Sequence, residues 1–388
     1  MKAIARLGLL WAFVAMLALP AVVQAQFTCT TNNGTITVTK CRSSTGDLTI
    51  PSTFDGLPVT SISGYGTLAY CTNLVSVTIP NSVTGIEDFV FIDCSRLNTI
   101  TVDAGNAFYS SVDGVLFDKN RSTLVRCPGG KAGHYAIPGG VAGIGVWAFF
   151  DCANLTSVAI PDSVTNMGCL SFKGCKGLTK ITVGAGNAFY GSVDGVLFDK
   201  SRSTLVQFPL GKRGNYTIPD GVTSVGVRAF SDYTNLTSVA IPDSVISIGD
   251  EVFGFCTSLT NIMIGTSVTN FGAEAFCECT SLTSVTIPDS VIGIGYGVFS
   301  FCTSLTNVMI GNGVTSIGDL AFASCSNLTG VYFRGDAPNL GSDVFGGDNA
   351  TIYYLPGTKG WGTNFGGRPT APWNPQAKGN AAPGVRPK

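Results

Sequence analysis

The chain has 388 residues, 45% hydrophobic and only 12% charged, with 49 glycines, which excludes a disordered polymer and allows a sizeable buried core. A net charge of −1 excludes a general attraction to nucleic acid, and a single histidine, His134, excludes chemistry that needs several imidazoles. There is no Gly-rich phosphate loop and no nucleophile elbow, so no cofactor and no enzymatic activity are expected.

Residues 1–25 read as a secretory signal. Lys2 and Arg6 precede an apolar run from Leu7 to Leu19, then Pro20 and the small-residue exit Val23-Gln24-Ala25, with cleavage expected after about Ala25. No later segment supplies the ~20 consecutive apolar residues of a spanning helix, so no membrane span is expected in the mature chain. Residues 26–47 form an N-terminal cap with a Thr-rich strand around Ile36. They carry Cys29 and Cys41, and a bridge between these two in an exported chain would stabilise the cap by about 3 kcal/mol.

From residue 48 to 345 one unit of 23 residues recurs, clearest in CTSLTSVTIPDSVIGIGYGVFSF from Cys279 to Phe301. Its Cys-x-x-Leu anchors fall at Cys71, Cys94, Cys152, Cys175, Tyr233, Cys256, Cys279, Cys302 and Cys325, with gaps of 23 or 58. Self-similarity at this period is the signature of a solenoid, here a β-rich one of about thirteen coils. Alternation places Leu282, Val285 and Ile287 inward on a strand, and Pro288, which cannot donate to a ladder, ends it. A phenylalanine stands three residues before each anchor from Phe91 to Phe322, so stacked coils should carry ladders of rings, thiols and leucines. Equivalent side chains in stacked coils point the same way, and the anchor cysteines are therefore expected as buried thiols.

Two coils are enlarged, Asn106 to Pro138 and Asn187 to Pro219, near-duplicates offset by 81 residues. Each holds two alternating runs, such as Gly114 to Phe117 and Thr123 to Arg126, around a polar turn. This predicts a β-hairpin projecting from the stack. The same offset carries His134 onto Asn215, which argues against a catalytic or metal role for the histidine. Residues 346–367 become rich in Tyr, Gly and Trp as a C-terminal cap, and residues 368–388, basic and rich in Pro and Gly, are expected to be a disordered tail.

Two surface features stand out. The outward strand position gathers apolar bulk toward the C-terminal end, at Met263, Thr286, Met309, Tyr332 and Tyr353. Such a stripe suits either an adaptable recognition surface or contact with the segment around Trp361. Arg334-Gly335-Asp336 spells the tripeptide read by integrins, and also makes an ordinary turn ahead of Pro338.

The unit Cys-x-x-Leu-x-x-Val-x-Ile-Pro-x-x-Val-x-x-Ile-Gly-x-x-x-Phe resembles the BspA-type leucine-rich repeat family over roughly residues 48–345, with Tyr233 a departure at one anchor. The resemblance implies a secreted or cell-surface protein that binds or adheres without catalysis. The expected partner is an extracellular protein or polysaccharide, not nucleic acid. The competing expectation is a structural, self-associating surface component.

Overall fold

The computed structural model describes residues 26–42, 46–68, 71 and 73–375, and from Phe27 onward every regular element among them is a strand. The expected signal, residues 1–25, lies outside them, as do residues 376–388 of the expected tail. The strands wind about 14 parallel turns of ~23 residues, close to the thirteen coils read from the repeat. The chain divides into two units, residues 1–177 and 178–388, each wound on the same plan.

In the second unit three ladders of backbone hydrogen bonds close each coil. The main sheet pairs Ser284–Ile287, Asn307–Ile310, Gly330–Phe333 and Thr351–Tyr354 in parallel, with Val285 opposite Val308 and Thr286 opposite Met309. Pro288 ends the first of these strands, Gly311 and Arg334 follow the next two, and after each the chain turns into a two-residue strand. Ser247–Ile248, Asn270–Phe271, Gly293–Ile294 and Ser316–Ile317 pair in register as a second ladder. The third ladder is made by a turn: the N–H groups of Glu251, Phe253 and Phe255 donate to the carbonyls of Ala273, Ala275 and Cys277 in the following coil, at 2.8, 2.8 and 2.9 Å.

Inside the coils the expected ladders are present. Phe253, Phe276, Phe299, Phe322 and Phe345 stack with centroids 5.2, 5.2, 5.4 and 5.8 Å apart and ring planes within 10°. The anchor thiols are buried, and three successive ones donate S–H to the phenylalanine carbonyl of the preceding coil: Cys279 to Phe253 and Cys302 to Phe276 at 3.2 Å, Cys325 to Phe299 at 3.1 Å. Tyr233 keeps the arrangement by another route, its hydroxyl donating to the Lys212 carbonyl at 2.7 Å while Phe208 extends the ring ladder to Phe230 at 4.8 Å.

In the first unit the cap is an antiparallel pair, Phe27–Asn32 with Thr35–Cys41, and the latter pairs in parallel with Leu57–Ile62. The expected Cys29–Cys41 bridge is not formed. Cys29 stands opposite Val38, while Cys41 stands opposite Phe27 and is buried in the core, so the two lie diagonally across the hairpin.

The enlarged coils correct another expectation. Val115–Asp118 does pair antiparallel with Thr123–Arg126, but the hairpin does not project: a third strand, Tyr109–Val112, joins it, and Val115, Leu116, Phe117 and Leu124 are fully buried. Thr123–Arg126 then pairs in parallel with Gly143–Ile144, so the insertion belongs to the sheet. The fully buried Asn106 locks it in place. Its amide donates to the carbonyls of Pro80 and Val83, and its oxygen accepts the N–H groups of Phe108 and Tyr109. Asn187 accepts from Phe189 and Tyr190 in the same way in the second unit.

The C-terminal end also differs from expectation. Arg368–Pro372 is not disordered but a strand, paired in parallel with Thr351–Tyr354. The reason lies at position 348, where the anchor column carries an aspartate whose side chain is fully buried. A buried carboxylate needs a cation, and Arg368 supplies it at 3.0 Å. The chain therefore continues as a covering strand to Trp373, and the cap does not end at residue 367.

Two outcomes follow from these contacts. Arg368→Met should cost about 3–5 kcal/mol by leaving Asp348 buried without its partner, measured as a fall in the urea midpoint. The anchor thiols should make the protein sensitive to alkali. Burial pushes Cys94 and Cys325 up to about 12 and raises Cys256, Cys279 and Cys302 as well. An unfolded thiol ionises near ~8.5, so this stability is complete below about that pH and declines above it, by up to ~1.4 kcal/mol per pH unit for each thiol, until the folded value is passed. Denaturation midpoints at about pH 8, 9 and 10 should fall progressively.

Candidate binding surface

The outward stripe is only partly exposed. Met263 is 62% exposed and Thr286 is open, but Met309 is buried beneath Trp373. Tyr332 stacks on Tyr353 at 4.7 Å and meets Trp373 edge-on at 5.2 Å. Of the two expectations, contact with the C-terminal segment holds for these three residues, yet the covering ring is Trp373. Trp361 packs elsewhere, stacked on Tyr354 at 5.3 Å and against Phe333 and Phe365.

The Arg-Gly-Asp tripeptide is built as a corner of the coil. Asp336 accepts the Lys359 N–H at 2.7 Å, as Asp243 and Asp289 accept those of Thr266 and Asn312 one coil on, at 2.7 and 3.0 Å. Arg334 lies 3.7 Å from Asp289, and a Cβ at Gly335 would stand 2.7 Å from the Asn312 carbonyl oxygen, which accounts for the glycine. His134 lies on the strand Gly133–Ala136, paired in parallel with Leu155–Ile160, and its Nδ1 is 2.8 Å from the Ser157 hydroxyl. Asn215 makes a comparable bond to Thr237 at 2.7 Å, so the two residues share a cross-coil role.

The turn ladder presents side chains that the sequence reading did not single out. From residue 147 on, the positions five and one before the anchor column adopt left-handed backbone: Trp147 and Asp151, Leu170 and Gly174, Arg228 and Asp232, Glu251 and Phe255, Glu274 and Glu278, Gly297 and Phe301, Leu320 and Ser324, Asp343 and Gly347. That conformation aims alternate N–H groups at the following coil. It suits glycine or aspartate and costs other residues about 1–2 kcal/mol each. Trp, Arg, Glu, Phe and Leu nevertheless occupy it, with Phe255 40% and Phe301 48% exposed. In the first unit Tyr65, Phe89, Trp147 and Phe150 run along this face with successive centroids 5.5, 5.4 and 4.8 Å apart.

Between the two columns runs a third, two residues before the anchor. In the first unit it is bulky, with Ile92, Phe150 and Lys173, but in the second it shrinks to Ser231, Gly254, Cys277, Ser300, Ala323 and Gly346. This small-residue floor opens a groove of about 510 Å³. Glu274, Glu278 and Asp343 line it alongside Phe255, Tyr296 and Phe301, and no Lys or Arg does. Burial raises the Cys277 thiol, and the charges of Glu274, Glu278 and Glu251 raise it further, in keeping with a negative potential over the floor. A signal for this face does exist in the sequence: these columns vary chemically from coil to coil while the Phe and Cys columns beside them hold.

The BspA type leucine rich repeat region matches residues 40–121, 131–203 and 212–352, in six copies. Among solved structures, the chain is 26% identical to a leucine rich cell surface protein from Faecalibacterium prausnitzii, covering 80% of this chain and 94% of that one with a TM-score of 0.51. A leucine-rich repeat protein from Eubacterium ventriosum is 22% identical, covering 89% and 98% at a TM-score of 0.56. The pneumococcal vaccine antigen PcpA is 18% identical, covering 85% and 92% at 0.55, and these last two likenesses show the fold alone. Comparison with curated protein sequences gives no match.

If the left-handed side chains are kept for what they present outward, removing one should not harm the fold. Phe301→Gly should hold or raise stability, by up to about 1 kcal/mol, because glycine relieves the backbone. Phe299→Ala, two residues away in the ring ladder, should cost about 3–5 kcal/mol. Thermal melts of the two variants decide between a surface role and a structural one.

Proposed function

Because the chain belongs to the BspA-type leucine-rich repeat family, we propose that it is an exported, non-catalytic surface protein that binds an extracellular protein or polysaccharide through the turn face of its coils. One observation carries this reading: bulky aromatic, acidic and basic side chains repeatedly occupy left-handed positions where glycine would cost less. The aromatic run from Tyr65 to Phe150 supports it, as does the occlusion of most of the strand stripe by Trp373. The 26% identical protein is described as a cell-surface protein, which supports the expected destination. Stacked coils that repeat one side-chain column about every 5 Å suit an extended partner better than a compact substrate.

A screen of the chain against immobilised matrix proteins and polysaccharides tests this reading. We expect saturable binding by a monomer that falls about tenfold or more when Trp147 and Phe301 are changed to Gly, with the melting temperature retained. Met263→Asp and Thr286→Asp on the strand face should leave binding unchanged. Loss of binding in the strand variants alone would overturn the turn-face assignment. Concentration-dependent assembly without any ligand would favour a self-associating structural component instead.

A further inference from the structure

We propose that the groove over residues 255–347 is a docking site for a basic, extended peptide segment, a partner class that sharpens the turn-face reading and rests on it. Lysine or arginine side chains would meet the carboxylates of Glu274, Glu278 and Asp343, with their aliphatic stems and cationic heads against Phe255, Tyr296 and Phe301.

Charge selects the occupant. The lining carries three carboxylates and no basic side chain. Glu251, one coil before Glu274, is already held by Arg228 through Nε at 2.8 Å, but the ion pairs among the described residues do not involve Glu274, Glu278 or Asp343. Their charge is therefore available to a partner. The acids are spread along the stack and do not converge as a metal cluster among the described residues.

Spacing selects an extended chain. Glu274 and Asp343 occupy equivalent positions three coils apart, about 14 Å at ~4.8 Å per coil, and residues i and i+4 of an extended strand are about 13–14 Å apart on the same face. Between them Gly297 leaves a gap in the wall, and Ser300, Ala323 and Gly346 keep the floor low enough for a backbone to lie along it.

The test is fluorescence anisotropy of the chain with a labelled Lys-Ser-Thr-Ser-Lys peptide and its Glu-Ser-Thr-Ser-Glu counterpart. The basic peptide should bind, the acidic one should not, and added salt should weaken the complex. Glu274→Gln with Asp343→Asn should reduce affinity about tenfold. Ala323→Leu, which fills the floor, should do the same while all variants keep the wild-type melting temperature. Equal binding of both peptides, unchanged affinity in the double variant, or uptake of a neutral oligosaccharide in place of the basic peptide would overturn the proposal. If the basic peptide fails while Trp147→Gly still abolishes binding of a ligand from the screen, the groove assignment falls and the wider turn-face reading stands. If the left-handed substitutions affect no screened ligand, the wider reading falls.

Discussion

Each coil must hand its backbone hydrogen bonds to the next in fixed parallel register, and most of this structure depends on that constraint. A coil of 23 residues buries too little apolar surface to offset the entropy of ordering itself, so it is stable only when neighbours complete its core. Register then dictates chemistry column by column. The turn ladder needs left-handed residues to send the N–H groups of Glu251 and Phe255 toward Ala273 and Cys277. The phenylalanine column fills the interior, and anchor thiols give the carbonyls of Phe253, Phe276 and Phe299 a second donor.

Where the stack thickens or stops, the constraint must be met by other means. Asn106 meets it in the first enlarged coil by serving four backbone groups from one buried amide, which draws an inserted meander into the sheet. At residue 348, the next position in the anchor column after Cys325, the thiol ladder gives way. Asp348 takes the anchor position, Arg368 neutralises it, and the strand carrying Arg368 lays Trp373 over Met309 and Tyr332. Capping thus removes from solvent much of the surface that looks most adhesive in the linear chain.

The face left open in the second unit is the one where the repeat is least uniform. Its walls exchange Glu, Phe, Leu and Asp at positions whose backbone is already imposed, and its floor is kept small by Cys277, Ser300 and Ala323. A solenoid can change wall side chains such as Phe255 and Phe301 with little cost to its core, because they stand largely outside it. The Arg-Gly-Asp corner is the opposite case: its glycine is required by Asn312 and its aspartate is occupied by Lys359.

The period by itself determined the winding, the inward residues and the burial of the thiols, because a hydrophobic pattern repeated in register has one economical way to hide its apolar face. It also located the antiparallel turn of the enlarged coils from Gly114 to Arg126. Tertiary structure alone decided whether that hairpin projected, whether residue 368 began a tail or a strand, and which outward residues met solvent. Those outcomes turn on contacts between residues distant in sequence, such as Asp348 with Arg368 and Tyr332 with Trp373. The left-handed columns lay between the two cases. Their variability was visible in the aligned coils, but only the backbone angles showed that Glu, Phe and Trp stand where the chain would more easily have placed glycine.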